Sequence, residues 1–346
     1  MLIDRIASDD IIDRAYEWLC KARKDYHHNN DVWQVRRWWN EKKPILQDQL
    51  VAGKYRFRAQ RLIRGKERIV ELWCAMDALV LKALAIVLGE ILRPHLSDRV
   101  FHLAGSGGMK AAVREVAAHL DENRFMFRTD VKGYYASIDQ GILYGQVAAY
   151  VQDERVLGLV GQYFARFVSD GGEYVDISQG ISLGCPLSPL MGALYLKPLD
   201  DRMAAMGCFY VRFMDDWVVM AITRWRLRRA IKAVNEVMAT LRVVKHRDKT
   251  FIGRIARGFD FLGYWFSDRS LSVAAKTVGR MVEKVGRLYE QGADDFRIDL
   301  YLLHWARWVR SGLGGAVQNG WQGNRRWGGV GWKRCVGHAP HPARSV

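Results

Sequence analysis

Cysteine is sparse in this chain and scattered: Cys20, Cys74, Cys185, Cys208 and Cys335 are the five in 346 residues. No two have the close spacing of a disulfide framework or a cysteine-rich zinc module, and the pattern suggests a reducing compartment. Long hydrophobic runs are missing as well. The greasiest stretch, Ala78 to Leu92, is interrupted by Lys82 and Glu90 and ended by Pro94. It falls short of the ~20 apolar residues a membrane helix needs, so it reads as a buried helix. The opening residues MLIDRIASDD are acidic where a secretory leader is basic and then apolar. The expectation is a soluble, cytoplasmic protein without membrane association. Acid is in short supply too: 37 Asp+Glu stand against 53 Lys+Arg, a net charge of +16. That excess favours a polyanionic partner.

What is present is globular composition, with 49% hydrophobic and 26% charged residues. The length fits roughly two domains. Residues 1–60 read as helical, rich in charges of both signs and in tryptophan (Trp33, Trp38, Trp39). The segment Arg58–Arg68, RAQRLIRGKER, alternates apolar and basic residues around Gly65 and predicts a strand, a turn and a strand. A helix over Ala75–Leu92 follows. Residues 125–139, FMFRTDVKGYYASID, begin as a strand, and 209–220, FYVRFMDDWVVM, have the pattern of a hairpin with Asp215 and Asp216 at its tip.

Leu227, Ile231, Val234, Val237, Met238 and Leu241 recur at helical intervals. A short strand is expected over Phe259–Phe266. Further helices start near Lys276 and after the turn QGADD, the second with Gly312 as its stop. Residues 313–346, rich in Gly, Trp and Arg, read as a flexible basic tail.

Chemistry is most legible in the carboxylates. Asp130 ends a strand, and Asp215 and Asp216 sit on a hairpin. Two unit charges ~4 Å apart repel by roughly 4 kcal/mol at an effective dielectric near 20. Three carboxylates brought together therefore need protons or cations, and an oxygen-rich site of this kind suits Mg²⁺ with substrate phosphates. Two such ions can activate an attacking hydroxyl and stabilise a leaving oxygen in phosphoryl transfer. Taken alone, Asp-Asp at a hairpin tip is also what an ordinary solvated turn looks like.

The order of blocks decides between these. TDVKGYYASID, QGISLGCPLSPLMGALYL, YVRFMDDWVVM, HRDKT and GFDFLGYWF, in that sequence, resemble the reverse transcriptases of bacteria, of the group II intron, retron and unclassified phage-defence types. The likeness runs from Tyr55 to Phe266. It implies an α+β right-hand polymerase of fingers, palm and thumb, with an antiparallel palm sheet and a helical thumb. The implied boundaries are an N-terminal helical extension over 1–55, fingers over 56–124, and palm over 125–270 with a finger-side insertion near 140–180. A thumb over 271–312 and the tail over 313–346 complete them.

The resemblance implies roles residue by residue. Asp130, the Val131 carbonyl, Asp215 and Asp216 would hold two Mg²⁺ ions, with Mn²⁺ as a substitute. Asp215 would be the bridging ligand and Asp216 the more peripheral one. Phe213 stands where the family's box has Tyr. Tyr135 matches the steric gate that selects deoxynucleotides, the alternative being a core aromatic. Arg64, Arg68 and Lys66 would grip the triphosphate, unless they form only a solvated basic hairpin. Lys249 matches a palm lysine near the leaving pyrophosphate, or is a surface lysine. Gly184 permits close backbone approach beside the template–dNTP pair, and Leu183 stands where many relatives have Gln. The glycine-rich loop Ala104–Lys110 lacks the Walker ending and reads equally as a template contact or a plain loop. Cys335, His338 and His341 fit coincidence better than zinc.

Residues 221–257 carry Arg224, Arg226, Arg228, Arg229, Lys232, Arg242, Lys245, Arg247, Lys249, Arg254 and Arg257 against Glu236 and Asp248. This one-signed excess is consistent with phosphate contacts. The expected activity is RNA-directed DNA synthesis, with RNA template, primer and dNTPs as partners. The resemblance and the length favour a stand-alone enzyme working with a structured non-coding RNA or a partner protein, in antiphage defence or as a domesticated retroelement. The rival from another class is an RNA-binding or assembly protein on a polymerase scaffold, without turnover.

Overall fold

The computed structural model describes residues 1–64, 69–268 and 270–314, and the side chains of Arg64, Ile69 and Val70 are not described. The chain divides into two compact units, Met1–Gly279 and Arg280 onward. In the first, helices Leu2–Ile6, Asp9–Ala22, Asp31–Arg37 and Trp39–Val51 lead the chain, as the sequence predicted. Their apolar stripes (Ile3, Ile6, Ile12, Leu19, Val32, Leu46) share one core with the helix Ala75–Leu92, against which the first three pack. That helix is apolar almost all round, the mark of a fully buried element. Among the described residues no helix is long and apolar enough to cross a membrane.

The described strands form three sheets. One joins the expected pair Gln60–Arg64 and Ile69–Leu72 to a hairpin of Phe167–Asp170 and Glu173–Asp176, through one short parallel pairing at Gln60 and Val168. The central sheet is antiparallel throughout, in the order Phe209–Phe213, Asp216–Ala221, Phe125–Asp130, Phe251–Arg254. The third is a small meander of Phe259–Phe261, Tyr264–Ser267 and Ser270–Val273.

The single strand expected over Phe259–Phe266 is therefore two. Leu262 (φ 48°) and Gly263 (φ 86°) make a two-residue turn between Phe261 and its partner Tyr264. Positive φ at both central positions suits a tight hairpin, and a leucine there hides the signal. At Gly258 (φ 74°) any Cβ would lie 2.2 Å from the Trp265 ring, so glycine is required by packing as well as by φ.

One face of the central sheet, with Phe127, Trp217, Val219 and Tyr210, enters the main core beside Leu227, Ala230, Val234 and Met238 of the helix Arg224–Thr240. Trp217 is fully buried. In this core lies an ion pair, Arg212 with Asp200, both completely inaccessible. Arg212 Nε donates to Asp200 Oδ1 (2.8 Å), Nη2 donates to the Ala193 carbonyl (3.1 Å), and Tyr210 OH donates to Asp200 (2.8 Å).

In the second unit, Met281, Val285 and Leu288 of the helix Ala275–Glu290 form a small core with Ile298 of the helix Asp295–Leu313. The sequence pointed to Gly312 as the stop of that helix, and Gly312 does not stop it. It is a buried helical residue, and Gly314 (φ 56°) takes the terminal position. The basic tail, with Cys335, His338 and His341, lies outside the described residues from 315 on.

Removing one partner of a buried pair strands the other charge, at a cost of about 3–5 kcal/mol. Asp200→Ala is expected to lower the unfolding free energy, read from urea melts, by an amount in that range. The double variant Asp200→Leu/Arg212→Met, which buries no lone charge, is expected to recover much of the loss.

Candidate active site

The ladder between Phe125–Asp130 and Asp216–Ala221 runs in register from Phe125↔Ala221 to Asp130↔Asp216. Asp130 and Asp216 are thus direct cross-strand partners on one face of the sheet. Side chains alternate, so Arg128 shares that face and sits diagonally from Asp216, within reach of a long side chain. The opposite face packs into the main core, and Met126, Val218 and Met220 are buried on the acid-bearing face, away from the corner. Asp215 lies between Phe213 and Asp216, a pair that closes a two-residue turn with Met214 at φ 58°. The sequence-predicted acids of 130 and 215–216 therefore converge at one corner of the sheet.

Methionine has no intrinsic liking for positive φ. The turn is held from both sides of the Met214 peptide: its N–H donates to His102 Nδ1 (3.0 Å), and its carbonyl accepts from Arg212 Nη1 (2.9 Å). An accepting Nδ1 leaves the imidazole proton on Nε2, which faces the Pro189 carbonyl at 3.2 Å. Burial, and then the Arg212 charge, push the His102 pKa down to about 4, so the ring is neutral at ordinary pH. Sequence reasoning missed His102, Arg212 and Asp200. The available signal was an arginine in the middle of the apolar strand FYVRF, which a buried strand tolerates only with a dedicated partner.

Two cations face the acids. Arg128 Nε and Nη2 donate to the two oxygens of Asp216 at 3.2 Å each, and Nη1 reaches Asp260 (2.6 Å). Lys249 donates to Asp130 Oδ2. Burial raises the Asp216 pKa to about 6; Arg128 works against this, while Asp130 and Asp215 add to it. Asp215 is raised as well, first by burial, with the Asp130 charge contributing. Asp130 Oδ1 is buried and has no hydrogen-bond partner.

An orphaned carboxylate oxygen beside two further acids fits a hard cation with oxygen ligands. Among the described residues no three His, Cys, Asp or Glu side chains close on one point. Such an ion at this corner would take its other ligands from solvent or from a substrate phosphate, as Mg²⁺ commonly does. Asp130 Oδ1 and the Asp215 oxygens are the ones that accept no hydrogen bond from Arg128 or Lys249.

The other predicted residues divide. Val131 is buried and bridges to Lys245, and the flanking bonds, Lys132 N–H to Val244 O and His246 N–H to Asp130 O, leave its own carbonyl out. Tyr135 lies near Asp215, whose charge adds to burial in raising the phenol pKa, and its hydroxyl is buried without a partner. Its ring rests against Gly192, where a Cβ would come within 3.0 Å. Gly180 (φ 79°) is equally constrained, 2.7 Å from the Tyr135 carbonyl by the same measure. Gly184 (φ 86°) has open space where a Cβ would stand, and Leu183 beside it is exposed. Arg64 ends its strand opposite Ile69. Its side chain, together with Lys66 and Arg68, lies outside the described residues. In the first turn of the helix Gly108–Ala118, just after the glycine-rich loop, Lys110 lies against the Tyr264 hydroxyl and ring.

The raised acid has a pH signature. A folded-state pKa near 6, against about 4 in the unfolded chain, means that the native protein binds more protons in that window. The ionised Asp216 thus costs stability above pH 6, and the cost is relieved as pH falls towards 4. Asp216→Asn is expected to stabilise at pH 7.5 by about 1–2 kcal/mol, part of the shift being offset by a lost Arg128 bond. The difference in melting temperature between variant and parent should vanish by about pH 4.

Comparison with known proteins supplies the family. The reverse transcriptase (RNA-dependent DNA polymerase) family profile matches residues 61–266, more than half of the chain. The group II intron-encoded protein LtrA of Lactococcus lactis subsp. cremoris is 24% identical over 124 residues, 36% of this chain. The chain spans 21% of that relative's length. Protein YkfC of Escherichia coli K12 is 20% identical over 268 residues, which is 64% of this chain and 70% of YkfC. The corner where Asp130 meets Asp215 and Asp216 falls inside the matched region, and the chain belongs to the reverse transcriptase family.

Proposed function

We propose that this protein is an RNA-directed DNA polymerase that adds dNTPs to a 3′ hydroxyl with two Mg²⁺ ions, Mn²⁺ serving as a substitute. The observation that carries the reading is the register of Asp130 with Asp216 beside the Asp215 turn, with one Asp130 oxygen buried and unpartnered. In this reading 56–124 act as fingers, 125–270 as palm and 271–312 as thumb, behind an N-terminal extension of 1–55. The resemblance extends the reading to work in the cytoplasm with a structured RNA, in antiphage defence or as a domesticated retroelement.

Asp130 and Asp215, with the Val131 carbonyl, would hold the ions. When bound, these supply a more acidic attacking hydroxyl and stabilise the leaving oxygen. Arg128 keeps Asp216 at the periphery by gripping both of its oxygens. Lys249, half exposed and hinged on a long stem, would exchange Asp130 for the departing pyrophosphate and neutralise it. Arg64, Lys66 and Arg68 would clamp the triphosphate from the other side. Tyr135, wedged against Gly192, presents a ring that cannot retreat from a 2′-hydroxyl, and Gly184 leaves room for the nascent base pair.

Primer extension on an annealed RNA template tests the proposal. Wild type should incorporate dNTPs only with a divalent cation. Asp215→Asn should lose about a thousandfold in rate, since several kcal/mol of charge stabilisation go with a lost ligand. Retention of full activity by Asp215→Asn would remove the assignment. Tyr135→Ala should narrow the preference for dNTPs over NTPs by roughly tenfold or more. An unchanged preference would make Tyr135 a core residue.

A further inference from the structure

The helix Arg224–Thr240 begins against physical expectation. Its first turn holds no acid, and Arg224, Arg226, Arg228 and Arg229 crowd the end where the backbone dipole is positive and cations are disfavoured. None of Arg226, Arg228 and Arg229 enters an ion pair among the described residues. Further along the exposed face, Lys232 and Arg202 both reach towards Glu236 at 3.9 Å. Trp225, 68% exposed, stands among the arginines, with Ile222 exposed just before the helix.

At helical spacing, Trp225, Arg229 and Lys232 lie opposite the buried Leu227, Ala230 and Val234, with Arg226 and Arg228 on the flanks. Nearby, Arg124 and Arg254 are exposed at the ends of their strands, preceded on one side by the exposed Asp121 and Glu122. A cluster that violates a local rule without an internal partner is a place to look for an external one.

Position separates this surface from the candidate active site. Arg224 lies over the Phe125 ring, at the end of the strand whose other end is Asp130. Five residues of strand make that about 17 Å. The helix also packs on the core face of the sheet, whereas the carboxylates stand on the other face, so sheet and helix both intervene.

We infer that this helix face, centred on Trp225, Arg228, Arg229 and Lys232, binds a single-stranded segment of RNA other than the strand being copied. Unpaired arginines supply the phosphate contacts, and an exposed indole stacks on an unpaired base that a duplex would keep inside. RNA is the nucleic acid that the family takes as template. The inference rests on the proposed function only in taking the carboxylate face as the side of synthesis.

The test uses the full chain and a labelled oligouridylate of about 12 nucleotides, within the site size of single-strand binders. Binding is measured with the synthesis cleft saturated by an unlabelled primer–template duplex. Wild type should still bind the oligonucleotide. Arg228→Gln/Arg229→Gln/Lys232→Gln should weaken this binding at least tenfold and lower its log–log salt slope by about 2, at ~0.7 per phosphate contact. Trp225→Ala should weaken it about tenfold with the slope unchanged. Extension of the annealed primer should stay at the parent's rate in both variants.

Absence of wild-type binding once the cleft is filled would overturn the inference, as would variants that bind like the parent. A parallel fall in primer extension would overturn it too, by making the surface part of the template path. Equal affinity for oligothymidylate, or competition by polyglutamate charge for charge, would reassign the surface to DNA or to an acidic protein. A wild type that binds here yet never extends a primer would sink the polymerase reading and leave this one standing.

Discussion

Two aspartates facing each other across adjacent antiparallel strands are an unfavourable choice for any sheet, since like charges directly opposite destabilise it. Asp130 and Asp216 are placed so, with Asp215 one residue away on the turn. The surroundings read as a response to that choice. Arg128 comes from the same strand as Asp130, two residues back, and spends both arms of its fork on Asp216. Lys249 arrives from a distant segment to meet Asp130, on a chain tied to the strand through Lys132, His246 and Thr250. The compensation is incomplete: Asp216 still titrates near 6, and one Asp130 oxygen has no partner. A fold under pressure only to be stable would replace such a group. Its presence is the usual sign of a site whose electrostatics are completed by a ligand.

A second tier lies beneath the first. Arg212 points to the core face of the sheet, where it is buried with Asp200, and reaches back to the carbonyl of Met214. His102 takes the amide of the same residue, in the one tautomer that leaves Nδ1 free to accept. The left-handed backbone at Met214 is therefore fixed by side chains that cannot reorient without uncovering a buried charge. Position at the tip is paid for in the core.

Much of the fold was legible in the sequence because its signals were local. The helix Ala75–Leu92, the Asp-Asp hairpin and the amphipathic helix from Arg224 each follow from periodicity over one short stretch. The family likeness placed Asp130 beside Asp215 and Asp216 across some eighty residues of chain, which periodicity could not have done. What stayed hidden was non-local or disguised. The turn at Leu262–Gly263 carries a leucine where asparagine or glycine would have announced it. Gly312 looked like a stop only because a buried helical glycine and a terminal one are the same letter. Arg212 and Asp200 are twelve residues apart with nothing in spacing to pair them, and His102 joins them from a further hundred residues away. Such networks are set by three-dimensional packing, and single residues in a sequence do not advertise them.

The central sheet also sorts charge. Its carboxylate corner gathers acid, and the helix on its other face gathers arginine with no acid in the first turn. Neither arrangement is favourable by itself, and they are too far apart to neutralise one another: across ~17 Å of strand, beyond a Debye length of about 8 Å at physiological salt, the charge of the exposed arginines is largely screened. Each must therefore be compensated where it stands. For the acids the chain supplies Arg128 and Lys249 and leaves one Asp130 oxygen without a partner among the described residues. For the arginines, among the described residues, it supplies little beyond Glu236, already approached by Lys232 and Arg202. The two imbalances have opposite sign and the same logic. A polymer carrying phosphate at regular intervals is the kind of ligand that settles the second, just as a divalent ion settles the first.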